Sequence, residues 1–103
     1  MAQSINVSEK INNTPVIVFS KTYCPYCTKA KNALNAINAH YEVIELDKVS
    51  NGSSIQSEVS RISGVRTVPQ VFVGGKFIGG GDDTAKLHKS GELSRLVTAA
   101  SVK

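Results

Sequence analysis

Tryptophan is absent from this 103-residue chain, methionine occurs once, and there are only three prolines and two cysteines. Two cysteines cannot staple a small disulfide-dependent scaffold, and Cys24 and Cys27 lie too near each other to cross-link distant parts of a fold. The pair is therefore either chemistry or half of a metal site. Long hydrophobic runs are missing too. The longest stretch of aliphatic and aromatic residues is Val16-Ile17-Val18-Phe19, whereas a membrane helix needs ~18 or more, so no membrane partner is expected. Basic residues are in slight excess, 12 Lys+Arg against 8 Asp+Glu for a net charge of +4, but they form no run and no basic–aromatic stripe. That pattern argues against a nucleic-acid partner and suits small anionic ligands. The opening MAQSINVSEK lacks the charged-then-apolar order of a secretory leader, and a reducing, cytoplasmic setting is expected. No repeat, low-complexity tract or linker divides residues 1–103, so one domain is expected. At 41% hydrophobic and 19% charged, the chain can bury a core without metal or disulfide support.

What is present alternates helix with strand. Residues 1–12, with apolar Ile5, Val7 and Ile11, read as an N-terminal helix. After Pro15, Val16-Ile17-Val18-Phe19 reads as a strand buried on both faces. From Pro25 to Asn38 a helix follows, with Cys27, Ala30, Leu34, Ile37 and Tyr41 recurring at spacings of three and four as its apolar stripe. Glu42-Val43-Ile44-Glu45-Leu46 reads as a second strand, completing a βαβ unit whose two strands run parallel. Ser53 and Gln56 match a capping box that opens a helix with Ile55, Val59 and Ile62 on its stripe and Gly64 as its stop. Val71-Phe72-Val73 and Lys76-Phe77-Ile78 flank Gly74-Gly75, a hairpin signal. Asp82-Asp83-Thr84 looks like the acidic start of a short helix, and Leu93, Leu96, Val97 and Ala100 give a last helix after Gly91. The expected class is α/β, a four-stranded mixed sheet flanked by helices on both faces.

Cys24-Pro25-Tyr26-Cys27 falls where a buried strand hands over to a helix, the edge at which open α/β sheets hold ligands. Proline suits the first helical position, which puts Cys24 at the N-cap. Its sulfur then faces free backbone N–H groups and the positive end of the helix dipole, with Lys21 adding a cation from the same loop. These features favour the thiolate, the nucleophilic form. Cys27 is one turn later, near enough for the sulfurs to meet, and shares the core-facing stripe with Ala30 and Leu34. That asymmetry makes Cys24 the attacking and Cys27 the resolving residue, with Tyr23 and Tyr26 flanking the sulfur. A zinc site is the competing reading, because Cys24, Cys27 and His40 have C-x2-C-x12-H spacing. Its fourth ligand would have to fall at about positions 44–46, which are Ile44, Glu45 and Leu46, and His88 is far away. No metal is expected. A disulfide closing so small a loop would also stabilise little, which leaves redox chemistry.

On these residues the chain resembles the glutaredoxins, specifically the dithiol type with a CPYC site. The resemblance runs from Pro15 to the final helix. It rests on Ser20-Lys21-Thr22-Tyr23-Cys24-Pro25-Tyr26-Cys27, then Ser63-Gly64-Val65-Arg66-Thr67-Val68-Pro69, then Phe77-Ile78-Gly79-Gly80 and Asp82-Asp83. A lone CxxC is weak evidence, whereas three motifs in order on a matching strand–helix pattern are specific. The resemblance implies a thioredoxin-like fold acting as a monomer, with glutathione as cosubstrate and no permanently bound cofactor. Glutathionylated or disulfide-containing proteins would be the substrates. Pro69 would be cis beside the cysteines, with the backbone of Val68 pairing with the cysteinyl part of glutathione like an added strand, and Tyr26 beside it. Lys21 and Gln56 match positions that bind the glycine carboxylate, and Arg66 is a further candidate for that end. Backbone N–H groups around Gly81, Asp82 and Asp83 would receive the γ-glutamyl carboxylate, and an Asp side chain its ammonium.

Plainer roles stay open for several of these. Gln56 could simply complete the capping box, Arg66 could be a solvated loop charge, and Asp82 or Asp83 could be a helix cap. Two positions depart from the family pattern. Gly81 stands where Ser, Asn or Cys is common, which removes a side-chain contact but leaves the N–H. Gln70 follows the proline where Asn or Arg is common. Neither would touch the reaction, and both would bear on glutathione affinity. The expected activity is glutathione-dependent thiol–disulfide exchange, through Cys24 alone for protein–glutathione mixed disulfides and through Cys24 and Cys27 together for disulfides. One rival is a thioredoxin-type protein disulfide reductase, opposed by the missing Trp and by CPYC in place of CGPC. The other is a glutathione-ligated [2Fe–2S] carrier, opposed by Pro25 where the resemblance puts Gly or Ser in carriers.

Overall fold

Val16-Ile17-Val18-Phe19 has no polar position to give to solvent, so a strand built from it must be covered on both sides. In the structure, a computed structural model that describes residues 6–101, the strand is buried along its whole length. Among the described residues the order is α1 (Val7–Asn13), β1 (Val16–Ser20), α2 (Pro25–Ala36), β2 (Glu42–Glu45), α3 (Gly52–Ser63), β3 (Gln70–Val73), β4 (Lys76–Gly79), α4 (Gly81–Ser90) and α5 (Glu92–Ser101). The part of the expected N-terminal helix on residues 1–5, Ile5 included, lies outside the described residues.

The strands lie in the order β2-β1-β3-β4. β1 runs parallel to β2, with Val18 beside Val43, and antiparallel to β3, with Val18 beside Val71. β3 and β4 form the expected hairpin through Gly74 and Gly75, both at positive φ (60° and 82°) as a tight two-residue turn requires. This is the mixed four-stranded sheet of a thioredoxin-like fold.

Side chains alternate across β1. Ile17 and Phe19 enter one core with Phe72, Ile44 and Leu46, covered by Val7 and Ile11 of α1 and Ile55 and Val59 of α3. Phe19 meets Phe72 edge-on at 5.8 Å between ring centroids, an arrangement that adds about 0.5–1.5 kcal/mol to what burial alone provides. Val16 and Val18 enter the other core with Val71 and Val73, covered by Ala30, Ala33 and Leu34 of α2 and by Leu93 and Val97 of α5. Helices on both faces thus explain the continuous apolar run of β1.

Three local readings need correction. The Ser53–Gln56 capping box does not form: α3 starts at Gly52, and its N-cap Asn51 makes no side-chain cap. The reason is steric. A Cβ on Gly52 would lie 1.9 Å from the Leu46 carbonyl oxygen, so the helix begins where a glycine lets it press against the end of β2. Ile62 is not on the buried stripe. It is 43% exposed on the last turn of α3, while the core on this helix ends at Val59. Tyr41 is not on a helix either. α2 stops at Ala36, with Asn38 left-handed (φ 56°) and the Ala39 N–H returning to the Leu34 carbonyl at 3.0 Å. Tyr41 packs on the same core from the following chain, and its hydroxyl donates to Asn35 Oδ1 at 2.9 Å.

Gly52→Ala should therefore lower stability by about 1–3 kcal/mol through overpacking against backbone. Urea denaturation measures this, and an unchanged midpoint would mean that α3 can start elsewhere without loss.

Candidate active site

β1 ends at Ser20, and the chain turns back to α2 through a bend closed by the Cys24 N–H on the Lys21 carbonyl (3.1 Å). Cys24 keeps an extended backbone (φ −95°, ψ 116°), and Pro25 takes the first helical position, where its missing N–H matters least. The cap itself is sulfur: the Cys27 N–H donates to Cys24 Sγ at 3.3 Å. Cys24 is half-buried, whereas Cys27, three residues on, faces the core at 1% exposure. Both are free thiols. Burial, reinforced by the hydrogen-bonded Cys24 sulfur, pushes the Cys27 thiol above its ordinary range. The Lys21 N–H, which donates to Cys27 Sγ at 3.4 Å, and the Ser20 hydroxyl pull the other way without reversing it. Cys27 is held protonated at neutral pH.

Opposite the cap runs Val65–Pro69, and the Val68–Pro69 bond is cis, as the resemblance implies. The Cys24 thiol donates to the Val68 carbonyl at 3.7 Å. Beside it lies a cleft of about 390 Å³ lined by Tyr26, Val65, Thr67, Val68, Pro69, Phe77, Gly80, Gly81, Asp82 and Asp83. Tyr23 and Tyr26 stand on the rim, 72% and 55% exposed. At Gly81 the wall is tight: a Cβ there would sit 2.5 Å from the Tyr26 carbonyl oxygen. The two aspartates divide their work. Asp83 accepts the Gly80 N–H at 3.2 Å and so caps α4, while Asp82 pairs with Lys29 at 2.6 Å on the surface.

The structure thus gathers Tyr26, Val68, Pro69, Gly81, Asp82 and Asp83 into one cleft beside the cysteines. Gln56 and Arg66 fall outside it, in an adjoining groove of about 560 Å³ along α3 with Ser53, Ser57, Ser60, Arg61 and Gly64. Gln56 Nε2 donates to the Arg66 carbonyl at 3.2 Å, so its amide serves the loop instead of a capping box. Lys21 lines neither cavity; its backbone reaches beneath the cysteines. Thr67 and Phe77 lie within the quoted motifs but were given no role there, while Lys29 and Asp47 were not marked by any motif. Asp47 follows β2 and takes both the N–H of Thr22 (3.0 Å, to Oδ1) and its hydroxyl (to Oδ2). This contact spans 25 positions of sequence, so no local spacing could reveal it. Among the described residues no three His, Cys, Asp or Glu side chains converge as a metal site.

A sulfur-capped helix start, a buried second thiol one turn on and a cis-proline loop across the cleft define a dithiol oxidoreductase site on a thioredoxin-like fold. The glutaredoxin family model matches residues 16–78. Glutaredoxin-C2 of Arabidopsis thaliana is 51% identical over 92 residues, covering 89% of this chain and 83% of that protein. Oxidized glutaredoxin 2 from Chlamydomonas reinhardtii superposes with a TM-score of 0.87 at 46% identity, covering 94% of this chain and 92% of that one. A buckwheat glutaredoxin–glutathione complex superposes with a TM-score of 0.85 at 43% identity, covering 90% and 84%. The chain belongs to the glutaredoxin family. It is a glutathione-dependent thiol–disulfide oxidoreductase.

The Thr22 bonds hold the Asp47 carboxyl below its ordinary value of 3.8. A carboxylate favoured in the folded state contributes stability above its unfolded pKa and loses it as pH falls through the folded value. The Thr22 amide resonance should therefore shift with Asp47 titration below pH ~4, and Thr22→Val should raise the midpoint. An NMR pH titration reads both; a midpoint unmoved by Thr22→Val would contradict the clamp.

Proposed function

We propose that Cys24 is the nucleophile and Cys27 the resolving thiol of glutathione-linked exchange. The observation that carries this reading is the inequality of the two sulfurs: one caps a helix beside an open cleft, while the other is buried and held protonated. Cys24 attacks as its thiolate on the glutathione sulfur of a protein–glutathione mixed disulfide. A Cys24–glutathione disulfide forms, the original S–S bond breaks, and the protein sulfur leaves as a thiolate that takes up a proton. A second glutathione, as thiolate, attacks the glutathione sulfur of that intermediate, releasing glutathione disulfide and the Cys24 thiolate. With a protein disulfide, Cys24 forms a mixed disulfide with the protein. Cys27 then loses its proton, attacks Cys24 Sγ and expels the protein thiolate. The resulting Cys24–Cys27 disulfide is reduced by two glutathiones.

In this reading glutathione is a cosubstrate and no cofactor is permanently bound. Its cysteinyl backbone pairs with Val68 beside Pro69 and Tyr26, as in β-strand addition. Its glycine carboxylate lies toward Lys21, Gln56 and Arg66. Its γ-glutamyl carboxylate meets the N–H groups at the start of α4, at Gly81, Asp82 and Asp83. Since Asp83 is engaged as a cap, Asp82 is the carboxylate left to share between Lys29 and the ammonium. The buckwheat relative bound to glutathione supports glutathione as the ligand of this reading. Residues 1–103 act as one domain and one monomer, passing electrons from glutathione to protein disulfides. A cytoplasmic setting suits an accessible catalytic dithiol.

Glutathione-coupled reduction of a small mixed disulfide tests the assignment. Cys24→Ser should drop to the uncatalysed rate. Cys27→Ser should keep this turnover yet lose reduction of protein disulfides. Persistent turnover in Cys24→Ser would refute it.

A further inference from the structure

The Val65–Pro69 segment opposite Cys24 belongs to no helix or strand, so no regular ladder holds its carbonyls. Three in succession are nevertheless taken by two glutamine side chains, with the Ser63 hydroxyl also donating to the first, that of Val65, at 3.3 Å. Gln70 Nε2 donates to the carbonyls of Val65 and Thr67, each at 3.0 Å. Gln56 Nε2 donates to that of Arg66, between them, at 3.2 Å. A primary amide has two N–H groups, and Gln70 spends both here. Its orientation follows from the chemistry, because the reversed amide would set an oxygen against two carbonyl oxygens. Gln70 is itself fixed: it is 1% exposed at the first position of β3, in register with Phe19 of β1. Its Oε1 meets no donor among the described residues. An apolar side chain would suit a buried place between two strands better, so the value of this amide lies in the carbonyls it holds.

We propose that Gln70 is a positioning residue for the glutathione-binding edge. With the Val65 and Thr67 carbonyls turned inward onto its amide, the Val68 peptide faces Cys24, its carbonyl 3.7 Å from the sulfur. It then presents an ordered edge to an incoming glutathionyl backbone. Gln70 touches no substrate and acts through Val68; the inference rests on the glutathione reading of the site. Strand addition to a preformed edge avoids ordering the loop at the moment of binding. Releasing the loop should therefore weaken binding, while the chemical step, set by the Cys24 cap on α2, continues.

The test is Gln70→Met, of similar volume but without donors, together with Gln70→Asn, which keeps the amide on a stem one methylene shorter. Steady-state kinetics use cysteinyl–glutathione mixed disulfide as the varied substrate. Amide hydrogen exchange is read at Arg66, Thr67 and Val68. In Gln70→Met, KM should rise about three- to tenfold, about the worth of one hydrogen bond, with kcat within about twofold. The three amides should exchange faster while those of α2 do not. Gln70→Asn should lie between, and it supplies the readout should Gln70→Met not fold. An unchanged KM with unchanged loop exchange would overturn the proposal. So would activity falling only in proportion to folded protein. A wild type that fails to turn over the mixed disulfide would instead refute the glutathione reading, with loop exchange still judging the clamp.

Discussion

The hydrogen bond from the Cys27 amide to the Cys24 sulfur closes the N-terminus of α2, and the rest of the site depends on it. A helix start leaves several N–H groups without partners, and a side-chain acceptor at the cap satisfies one of them. Here the acceptor is the same atom proposed to carry out the exchange. Once Cys24 is the cap, helix geometry sends the side chain three residues later toward the sheet. Cys27 must then be buried, and burial keeps it protonated. One backbone contact thus makes two chemically identical residues unequal. The inequality is stable because α2 is pinned to the sheet by Ala30, Ala33 and Leu34.

The cap supplies a sulfur but not a binding surface. The surface is assembled from segments that lie far apart in sequence and have little regular structure of their own. Asp47 holds the turn before the cap through Thr22, and Gln70 and Gln56 hold the cis-proline loop from beneath. Asp83 fixes the entry to α4, and Gly81 brings that entry against the Tyr26 carbonyl with no room for a side chain. Each hydrogen bond of this kind contributes only about 0.5–1.5 kcal/mol net, so the two apolar cores carry the fold while these contacts determine where its edges point. The loss of a side chain at Gly81 is matched by closer backbone packing, so the cleft wall there is main chain.

The sequence made the architecture legible because its signals are local. The all-apolar β1, the Pro25 start of α2, the two-glycine hairpin and the Gly64 stop each specify structure within a few residues. The unequal placement of the two cysteines was legible for the same reason, since cap and stripe both follow from the order Cys-Pro-Tyr-Cys. The misreadings have a common origin in tertiary contact. The start of α3 was set by Leu46 pressing on Gly52, not by Ser53 and Gln56. The apolar spacing that placed Ile62 and Tyr41 on buried helical stripes carried no information about where each core ends or where α2 stops. Lys21, Gln56 and Arg66 share one expected ligand end, yet they lie outside the cleft that gathers the others. Asp47 and Lys29 could not be found at all, because their partners are fixed only once β2 has paired with β1 and α4 has packed against α2.

If the cap makes the sulfurs unequal, their reactivity must differ before any substrate binds. The direct measurement is alkylation of the fully reduced protein with limiting iodoacetamide near neutral pH, followed by peptide mapping. Cys24 should be modified nearly alone, with Cys27 labelled only after denaturation. Equal labelling of the two in the folded protein, or modification of Cys27 first, would contradict the account.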